Sequence, residues 1–359
     1  MCSYRKDGGG MSYSKITNID NCQPKKWMTD EAHVVYASDD RFAEILGVSM
    51  VSLFENSSDI EIVVYILDSG ITATNKERIK AVCKTYKRPE PIWIEAKNIS
   101  EELSINVATD RGSLSQYARL FISGSLPQDL KRVLYLDCDI LINQSVSELW
   151  SMDLHGKTIG ALMDAFSRAY RKNIDLKPED IMFNSGVMLV DLDKWRKDDI
   201  EGKLLSFIKS KNGRIQQGDQ GALNAVLSKE TYCFEPKMNA VTIYFDFTYD
   251  EMMTYRKPPE FYTREQIEEA VSNPVIIHFT TSFLSHRPWV EGCQHKYVDE
   301  WIKYKKKSPW AEEKEWKYRN SKGLKGVYIA LIKRVPRKAM IYISGLLQAY
   351  GRPFVMRFR

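Results

Sequence analysis

The chain lacks the features that mark several special classes of protein. Its six cysteines include no Cys-X-X-Cys pair, which argues against a zinc ribbon or a disulfide framework and favours reduced thiols in the cytoplasm. No apolar run approaches the roughly 18 residues that a membrane-spanning helix needs. No basic start followed by an apolar core predicts a secretory signal. Internal repeats and low-complexity segments are also missing, so we expect an ordinary globular protein.

The composition supports that expectation and shows where the positive charge lies. Hydrophobic residues make up 43% and charged residues 28% of the 359 residues, which are globular values. Residues 303–359 carry ten Lys and six Arg against three Glu, a net charge of +13, which leaves −8 for residues 1–302 of the total +5. The basic character therefore belongs to the C-terminal tail and not to the main body.

The order of apolar runs and helical patterns predicts an α/β fold. Strands are predicted at 33–38, 60–68 and 91–96, with helices at 40–57 and 72–86 between them. Such alternation is typical of a parallel sheet covered by helices. The pattern continues with a helix at 114–122, a strand at 132–142, a strand at 157–164, a strand running into a helix at 183–195, a helix at 219–228 and a strand at 273–279. We therefore predict a flexible arm at 1–31, one α/β domain at 32–303 and a basic helical region at 304–359.

Two carboxylates interrupt an apolar run in the sequence RVLYLDCDILI at 132–142. Ligands of parallel sheets bind beyond the carboxyl ends of strands, where Asp137 and Asp139 are expected. On an extended chain, residues two apart point to the same side, so both could bind one Mg²⁺ or Mn²⁺ shared with a substrate phosphate. The alternative is structural: Asp139 caps a turn and Asp137 pairs with an arginine. An aspartyl-phosphate phosphatase is disfavoured because Leu141 stands in its motif and the motif comes late in the sheet.

Five separated segments together resemble glycosyltransferase family 8, the retaining enzymes that use sugar nucleotides. They are VVYASDDRFAEILGVSMVSL at 34–53, YARLFI at 117–122, RVLYLDCDILI at 132–142, FNSGVMLVDLDKW at 183–195, and the pair DQGALN at 219–224 with IIHF at 276–279. The resemblance spans about residues 33–303. It implies a single Rossmann-like nucleotide-sugar-binding domain of the GT-A type with a mostly parallel sheet. It also implies a metal-dependent transfer from UDP-glucose or UDP-galactose to a glycan or a lipid-linked glycan.

The resemblance assigns roles to individual residues. The implied ligands of Mn²⁺, or of Mg²⁺, are Asp137, Asp139 and His278. The implied contacts to the UDP-sugar are made by Ala37, Asp39, Arg119, Asp137, Cys138, Asn184, Ser185 and Arg287. The residues implied at the transferred sugar are Asp164, Asp219 and Gln220. Structural alternatives remain: Asp39 and Asp219 as helix N-caps, Arg119 as a surface arginine, and His278 as a buried core residue.

One segment departs from the family pattern. Many members follow the metal-binding histidine with HxxGxxKPW, in which the lysine contacts the diphosphate. Here the sequence is HFTTSFLSHRPW at 278–289, so Thr281 replaces the glycine and three residues are added. Arg287 takes the place of the lysine, and a guanidinium binds phosphate well; His286 is an alternative. The departure keeps open a second hypothesis, a non-catalytic UDP-sugar-binding protein that has kept the fold.

The tail contains sixteen basic residues together with aromatic residues. Its segment 326–350 is mostly apolar and is interrupted by basic residues. Pro336 should kink or split any helix in that segment. Such a pattern suits attachment to an anionic membrane surface, on the inner face of the cell membrane. The alternative is a helical pair that docks on the body or on a second subunit. Nucleic acid is a weaker partner because long apolar stretches do not suit a phosphate-binding arm.

Overall fold

The computed structural model describes residues 31–109, 113–318, 328, 332 and 334–357. The predicted arm, except residue 31, and tail residues 319–327 lie outside the described residues. The strands are β1 (Glu31–Ser38), β2 (Glu61–Asp68), β3 (Ile92–Glu95), β4 (Arg132–Leu136), β5 (Ile140–Ile142), β6 (Ile159–Met163), β7 (Phe183–Asp191), β8 (Thr231–Cys233), β9 (Ala240–Val241) and β10 (Ile276–His278).

Helices connect most of these strands. They are α1 (Ala43–Asn56), α2 (Ala73–Thr85), α3 (Ile99–Leu103), α4 (Ile122–Ser125), α5 (Ser147–Ser151), α6 (Arg168–Arg171), α7 (Leu192–Lys197), α8 (Ile200–Ser210), α9 (Gly218–Leu227), α10 (Thr242–Asp246), α11 (Tyr249–Arg256), α12 (Arg264–Ser272) and α13 (Val298–Lys306). Short 3₁₀ segments add turns, among them Asp40–Phe42 before α1 and Leu114–Phe121 before α4. Threonines cap several helices; Thr248 and Thr263 each form a capping box with the residue three positions later.

Seven strands form the main sheet in the order β3-β2-β1-β4-β7-β6-β8. The pairs β1–β2, β2–β3, β1–β4 and β6–β8 are parallel, whereas β7 runs antiparallel to both β4 and β6. The predicted α/β fold with a mostly parallel sheet is therefore confirmed. A smaller sheet has the order β5-β10-β9.

Both faces of the main sheet are buried. In β1, Val34 and Tyr36 point into the cluster that contains α1, and Val35 points into the opposite cluster, which contains residues of α7 to α9. Because successive side chains of a strand alternate between faces, a strand covered on both sides must be apolar throughout. This explains why the strand sequences lack the polar alternation of a half-exposed sheet.

The predicted strand at 132–142 is two strands in two different sheets. β4 ends at Leu136, and β5 begins at Ile140 in the small sheet, where it pairs antiparallel with β10. Cys138 and Asp139 form a turn between them. The polar residues therefore lie where the chain leaves the main sheet, at the point where the strand order reverses between β1 and β4. Crevices at such reversals are common ligand sites in α/β sheets.

The described part of the tail packs on the body. The helix Arg337–Leu346 begins directly after Pro336, and a π-helical stretch at Leu347–Gly351 leads into a short helix at Arg352–Met356. The Ser167 hydroxyl donates to the carbonyl of Ala349 at 2.5 Å. The Tyr170 hydroxyl donates to the carbonyl of Gln348 at 3.0 Å. Among the described residues, every helix is too short or too polar to cross a lipid bilayer.

Candidate functional site

Asp137, Asp139 and His278 lie together at the carboxyl end of β4. One ligand atom from each side chain lies within 4.8 Å of the other two. His278 Nε2 is 3.2 Å from Asp139 Oδ1 and 3.8 Å from Asp137 Oδ2. Asp139 and His278 are only 4% and 3% exposed. Two carboxylates and one imidazole are a donor set that suits Mn²⁺ or Mg²⁺.

The reason for this convergence differs from the predicted one. The sequence argument placed Asp137 and Asp139 on one side of an extended strand, but the chain turns between them. The turn transfers the chain to the small sheet, where β10 pairs His278 with Ile140. This pairing brings the imidazole beside the two carboxylates. The pleat of a single strand does not explain the cluster.

Gly186 makes room for the cluster. β7 is antiparallel, so its first residues lie beside the carboxyl end of β4, and the amide of Asp137 donates to the carbonyl of Gly186 at 2.7 Å. A Cβ atom at position 186 would lie 2.2 Å from His278 Cε1 and 2.8 Å from Asp137 Oδ2. Any side chain would therefore displace two of the three candidate ligands. This observation fits an ion site, because only glycine leaves both side chains in place.

A chain of hydrogen bonds places a proton on His278 Nδ1, the ring nitrogen that does not face the carboxylates. The amide N–H of Gly186 can only donate, so the Asn184 atom 3.0 Å away is its carbonyl oxygen. That oxygen also accepts from the Asn239 amide group at 3.0 Å. The remaining Asn239 oxygen must then accept from His278 Nδ1, also at 3.0 Å. A neutral imidazole with its proton on Nδ1 would present an unprotonated Nε2 to the carboxylates, as a metal ligand requires.

Arg119 links the candidate metal ligands to the residues assigned to the sugar. Its Nη2 lies 2.6 Å from Asp137 Oδ1 and its Nε lies 3.0 Å from Asp219 Oδ2. Nη1 donates to the carbonyl of Ser185 at 2.9 Å. Burial lowers the pKa of Arg119, but the charges of Asp137 and Asp219 outweigh it and the pKa is raised. Arg119 is therefore a permanently charged, buried anchor and not the surface arginine of the alternative reading.

Arg287 reaches the same cluster from a different segment. Its Nη2 lies 2.8 Å from Asp139 Oδ2, and its guanidinium carbon lies 5.4 Å from the centre of the Trp289 ring. The segment at 278–289, which departs from the family pattern, thus places the arginine at the cluster. Two hydroxyls of this segment, those of Ser282 and Ser285, donate to the two oxygens of Asp246.

The predicted contacts to the nucleotide lie beside the cluster. The Cys138 thiol donates to the carbonyl of Ala37 at 3.3 Å. Burial raises the pKa of Cys138, so the thiol stays protonated. Asp39 accepts from the amide of Phe42 at 3.2 Å and from the hydroxyl of Ser113 at 2.8 Å. The capping alternative for Asp39 is therefore observed, and its second carboxylate oxygen contacts Ser113.

The residues assigned to the transferred sugar lie on the other side of the cluster. Gln220 Oε1 accepts from the amide of Ser185 at 3.3 Å. Asp219 is in the first turn of α9, whose N-cap is Gln217, so the predicted capping alternative for Asp219 is wrong. Asp164 follows β6 and is half-buried. Burial raises its pKa, and the charge of Arg256 and a hydrogen bond from Asn184 only partly oppose that effect.

Several residues at the site carried no signal in the sequence. Asn239 is fully buried and orients His278, and the Tyr135 hydroxyl donates to Asp137 Oδ1 at 3.2 Å. Asp246 holds the segment of Arg287, as described above. Asn239 directly precedes β9, Tyr135 lies in β4 and Asp246 lies in α10, and their roles depend on contacts between distant segments. Tyr135 alone could have been found, because it stands two residues before Asp137.

Comparison with known sequences identifies relatives over most of the chain. The model of "Glycosyl transferase family 8" matches residues 33–292. General stress protein A of Bacillus subtilis is 30% identical over 282 residues, which cover 77% of this chain and 94% of that protein. Lipopolysaccharide 1,2-glucosyltransferase of Escherichia coli is 24% identical, and the match covers 78% of this chain and 79% of that protein.

A solved structure has the same fold. The crystal structure of the galactosyltransferase LgtC in complex with donor and acceptor sugar analogues superposes with a TM-score of 0.65 at 24% sequence identity. The superposition covers 78% of this chain and 98% of that one. The likeness supports a GT-A architecture.

Proposed function

The chain belongs to glycosyltransferase family 8 and is a glycosyltransferase, and from this premise we propose that it moves glucose or galactose from a UDP-sugar to a glycan hydroxyl with retention of configuration. The observation that carries the proposal is the cluster of Asp137, Asp139 and His278 beside Asp219 and Gln220. The name of the Escherichia coli relative supports an acceptor in lipopolysaccharide or another bacterial surface glycan.

We assign a divalent ion, Mn²⁺ or Mg²⁺, to Asp137, Asp139 and His278. Such an ion, when bound, supplies positive charge where a diphosphate leaving group gains negative charge. Arg287 lies at the same place, and its planar guanidinium can bind two phosphate oxygens. We infer that Arg287 leaves Asp139 to contact the diphosphate when the donor binds. Ala37, Asp39 and Cys138, at the carboxyl end of β1 and in the turn after β4, are assigned to the nucleotide.

The sugar end of the donor is assigned to residues that Arg119 and Asn184 hold in place. Arg119 keeps Asp219 beside Asp137, and Asn184 lies between the metal cluster and Asp164. Asp219 and Asp164 can accept hydrogen bonds from sugar hydroxyls, and Ser185 orients Gln220. These contacts would fix the anomeric carbon relative to the acceptor, which is how an enzyme of this kind gains rate by positioning.

Retention of configuration leaves two routes. A double displacement needs a nucleophile below the sugar, as in retaining glycosidases. The residue assigned to that position is Gln220, and an amide is a poor nucleophile. We therefore favour attack on the face that the diphosphate leaves. In that route a diphosphate oxygen accepts the proton of the acceptor hydroxyl.

Hydrolysis of UDP-glucose and UDP-galactose with and without Mn²⁺ tests the proposal. Asp137→Asn and Asp139→Asn should each lower the rate by about 100-fold or more, because charge stabilisation of the leaving group is lost. Asp193→Asn, an exposed aspartate of α7, is the matched control and should have the wild-type rate. Unchanged turnover in both site variants would refute the assignment. Wild-type protein that binds UDP with Mn²⁺ and turns over neither sugar would support the non-catalytic alternative.

We propose in addition that the tail rests on an anionic membrane on the cytoplasmic side. Its outward face exposes a group of large apolar side chains, namely Tyr342, Ile343, Leu346, Leu347, Tyr350, Phe354 and Val355. Residues 334–357 contain no acidic residue, and Arg334, Lys338, Arg352 and Arg357 are exposed around this face. An apolar face bordered by cations suits an interface with anionic lipid.

Flotation with phosphatidylglycerol vesicles tests this second proposal. Leu347→Glu and Phe354→Glu should abolish flotation, because each places a carboxylate in the lipid-facing patch. Ile92→Glu is the matched control, since Ile92 is an exposed apolar residue outside the tail. Flotation of both tail variants at the wild-type level would exclude this face as the anchor.

A further inference from the structure

A small cavity lies between the body and the tail, outside the cluster of candidate ligands. Its volume is about 290 Å³, near the lower end of the range for ligand pockets. It is lined by Ser167, Arg168, Lys257, Pro258, Pro259 and Tyr350. Three separate segments therefore build its walls: the start of α6, the loop after α11 and the stretch that joins the two tail helices.

The walls of this cavity are rigid. Lys257 ends α11 in the left-handed conformation, with φ of 50°, and two prolines follow it. Proline rings fix the backbone φ angle, so the loop has little freedom. On the opposite wall the Ser167 hydroxyl is committed to the carbonyl of Ala349, the residue before Tyr350. The backbone on both sides of the cavity is therefore held in place before any ligand arrives.

The cavity is lined by two cations, of which Lys257 Nζ also lies 5.6 Å from the centre of the Tyr342 ring. None of its six lining residues is acidic. In the described part of the chain, neither Arg168 nor Lys257 has a carboxylate within ion-pair distance. Burial and, to a smaller extent, the charge of Arg168 lower the pKa of the neighbouring Arg171 to about 10, although Asp180 acts in the opposite sense. A cavity lined by cations and by no carboxylate is typical of an anion site.

The cavity borders the sugar side of the candidate active site. Asp164, assigned to the sugar, precedes Ser167 by three residues. The guanidinium of Arg256 lies 5.3 Å from the centre of the Phe166 ring and acts on the charge of Asp164. Lys257, the next residue, lines the cavity. An acceptor whose hydroxyl approaches the sugar from the side of Asp164 would therefore extend toward the two cations.

We propose that this cavity binds a phosphate group, carried by the acceptor glycan or by a lipid headgroup of the membrane that holds the acceptor. The proposal rests on the transferase function above, since it concerns the acceptor side of that reaction. Arg168 and Lys257 would each donate charge-assisted hydrogen bonds to the phosphate oxygens. The Tyr350 side chain would cover the apolar part of the same molecule. The site thus selects acceptors by an anionic group outside the reacting sugar.

Titration calorimetry with glucose 1-phosphate, in EDTA at constant ionic strength, tests the site. The double variant Arg168→Gln/Lys257→Gln should bind about tenfold more weakly or worse, because two charged donors are lost. The matched control Lys203→Gln/Lys209→Gln removes two exposed cations of α8 and should bind as the wild type does. Uncharged glucose should not bind. Equal affinity of wild type and double variant for both glucose 1-phosphate and phosphatidylglycerol vesicles would overturn the proposal.

Further experiments distinguish this cavity from the donor site, and distinguish a phosphate on the acceptor from a phosphate in a lipid headgroup. Arg287→Gln should keep the affinity for glucose 1-phosphate; if it loses binding while the double variant keeps it, the phosphate belongs to the donor site and the proposal is wrong. Weaker binding of the double variant to phosphatidylglycerol vesicles alone would identify a lipid headgroup, and weaker binding to the sugar phosphate would identify the acceptor. Hydrolysis of UDP-sugar should stay at the wild-type rate in the double variant. A wild-type protein that hydrolyses no UDP-sugar would therefore count against the transferase function, whereas equal binding by the double variant would count against this cavity.

Discussion

Asn239 offers a sharp test of how the candidate metal site is built. Its side-chain oxygen accepts from His278 Nδ1 at 3.0 Å, and its amide group donates to Asn184 at 3.0 Å. Asn239 is fully buried, so water cannot replace it. Asn239→Leu keeps a similar volume and removes the acceptor. The imidazole would then either bury an unpaired Nδ1 proton or move the proton to Nε2, where it points at the candidate ion position.

The expected size of the effect follows from the second outcome, because an ion at Nε2 would force the proton back to an Nδ1 that has no partner. A buried donor without a partner costs about 1–3 kcal/mol, and about 1.4 kcal/mol corresponds to a factor of ten in affinity. Loss of an outer hydrogen bond to a metal-binding histidine commonly weakens metal binding by about 10–100-fold. The two figures agree. We therefore expect the dissociation constant for Mn²⁺ to rise by about 10–100-fold in Asn239→Leu.

Calorimetric titration with Mn²⁺, together with the Mn²⁺ concentration that half-activates UDP-sugar hydrolysis, measures this change. Asn143→Leu is the matched control: Asn143 is a partly buried asparagine whose amide group donates to the carbonyl of Pro274 at 2.9 Å, away from the site. Circular dichroism establishes that both variants are folded. Mn²⁺ binding of wild-type strength in folded Asn239→Leu would refute the inferred proton position on His278.

Three further predictions follow from the same structure. Gly186→Ala should weaken Mn²⁺ binding by about tenfold or more in calorimetry, because the new Cβ would lie 2.2 Å from His278 Cε1. Arg119→Ala should lower the free energy of unfolding in urea by about 3–5 kcal/mol, since two carboxylates lose their shared buried cation. Burial lowers the pKa of His295 to about 4, below its unfolded value of 6.5. The folded state therefore binds fewer protons than the unfolded state between these values. Its stability should fall by up to about 3 kcal/mol as the pH drops from 6.5 toward 4, and His295→Leu should flatten this loss in denaturant titrations.

Matched variants control the first two of these measurements. Gly351→Ala should leave Mn²⁺ binding unchanged, because its Cβ would meet only a side-chain carbon of Leu347 at 3.6 Å. Arg78→Ala removes an exposed ion pair with Glu313 and should cost less than about 1 kcal/mol. Normal Mn²⁺ affinity in folded Gly186→Ala would contradict the first argument. Equal stability of Arg119→Ala and Arg78→Ala would contradict the second. An acid-induced loss of stability that persists in His295→Leu would contradict the third.

The sequence predicted the first strands of the main domain well, because a run of apolar residues is a property of neighbours along the chain. Runs such as residues 33–38 and 60–68 are apolar on both faces, and the structure places β1 and β2 there. The helix predicted at 114–122 was less accurate, since Leu114–Phe121 is a 3₁₀ segment that passes into α4. The strand predicted at 132–142 is divided, because pairing with β10 draws residues 140–142 into a second sheet.

The tail shows a similar division between local and tertiary information. Pro336 was predicted to interrupt a helix, and the helix Arg337–Leu346 begins directly after it. Whether the tail docks on the body depends on contacts such as Arg337 with Glu251 at 2.8 Å, which no local pattern reveals. Its outer face remains apolar and basic, so docking on the body leaves a different side of the same segment for the proposed attachment to a membrane.

By itself, the sequence determined the class of fold and the residue types available for chemistry: two aspartates after a buried strand, and a histidine at the end of another. The tertiary structure decided what these residues do together. It places Arg119 between Asp137 and Asp219. It also brings Gly186 to His278, where the missing side chain leaves room for the imidazole, and Asn239, whose oxygen accepts the proton of Nδ1. Strand and helix patterns arise from neighbours along the chain, whereas the charge balance and geometry of a site arise from segments that meet only after folding.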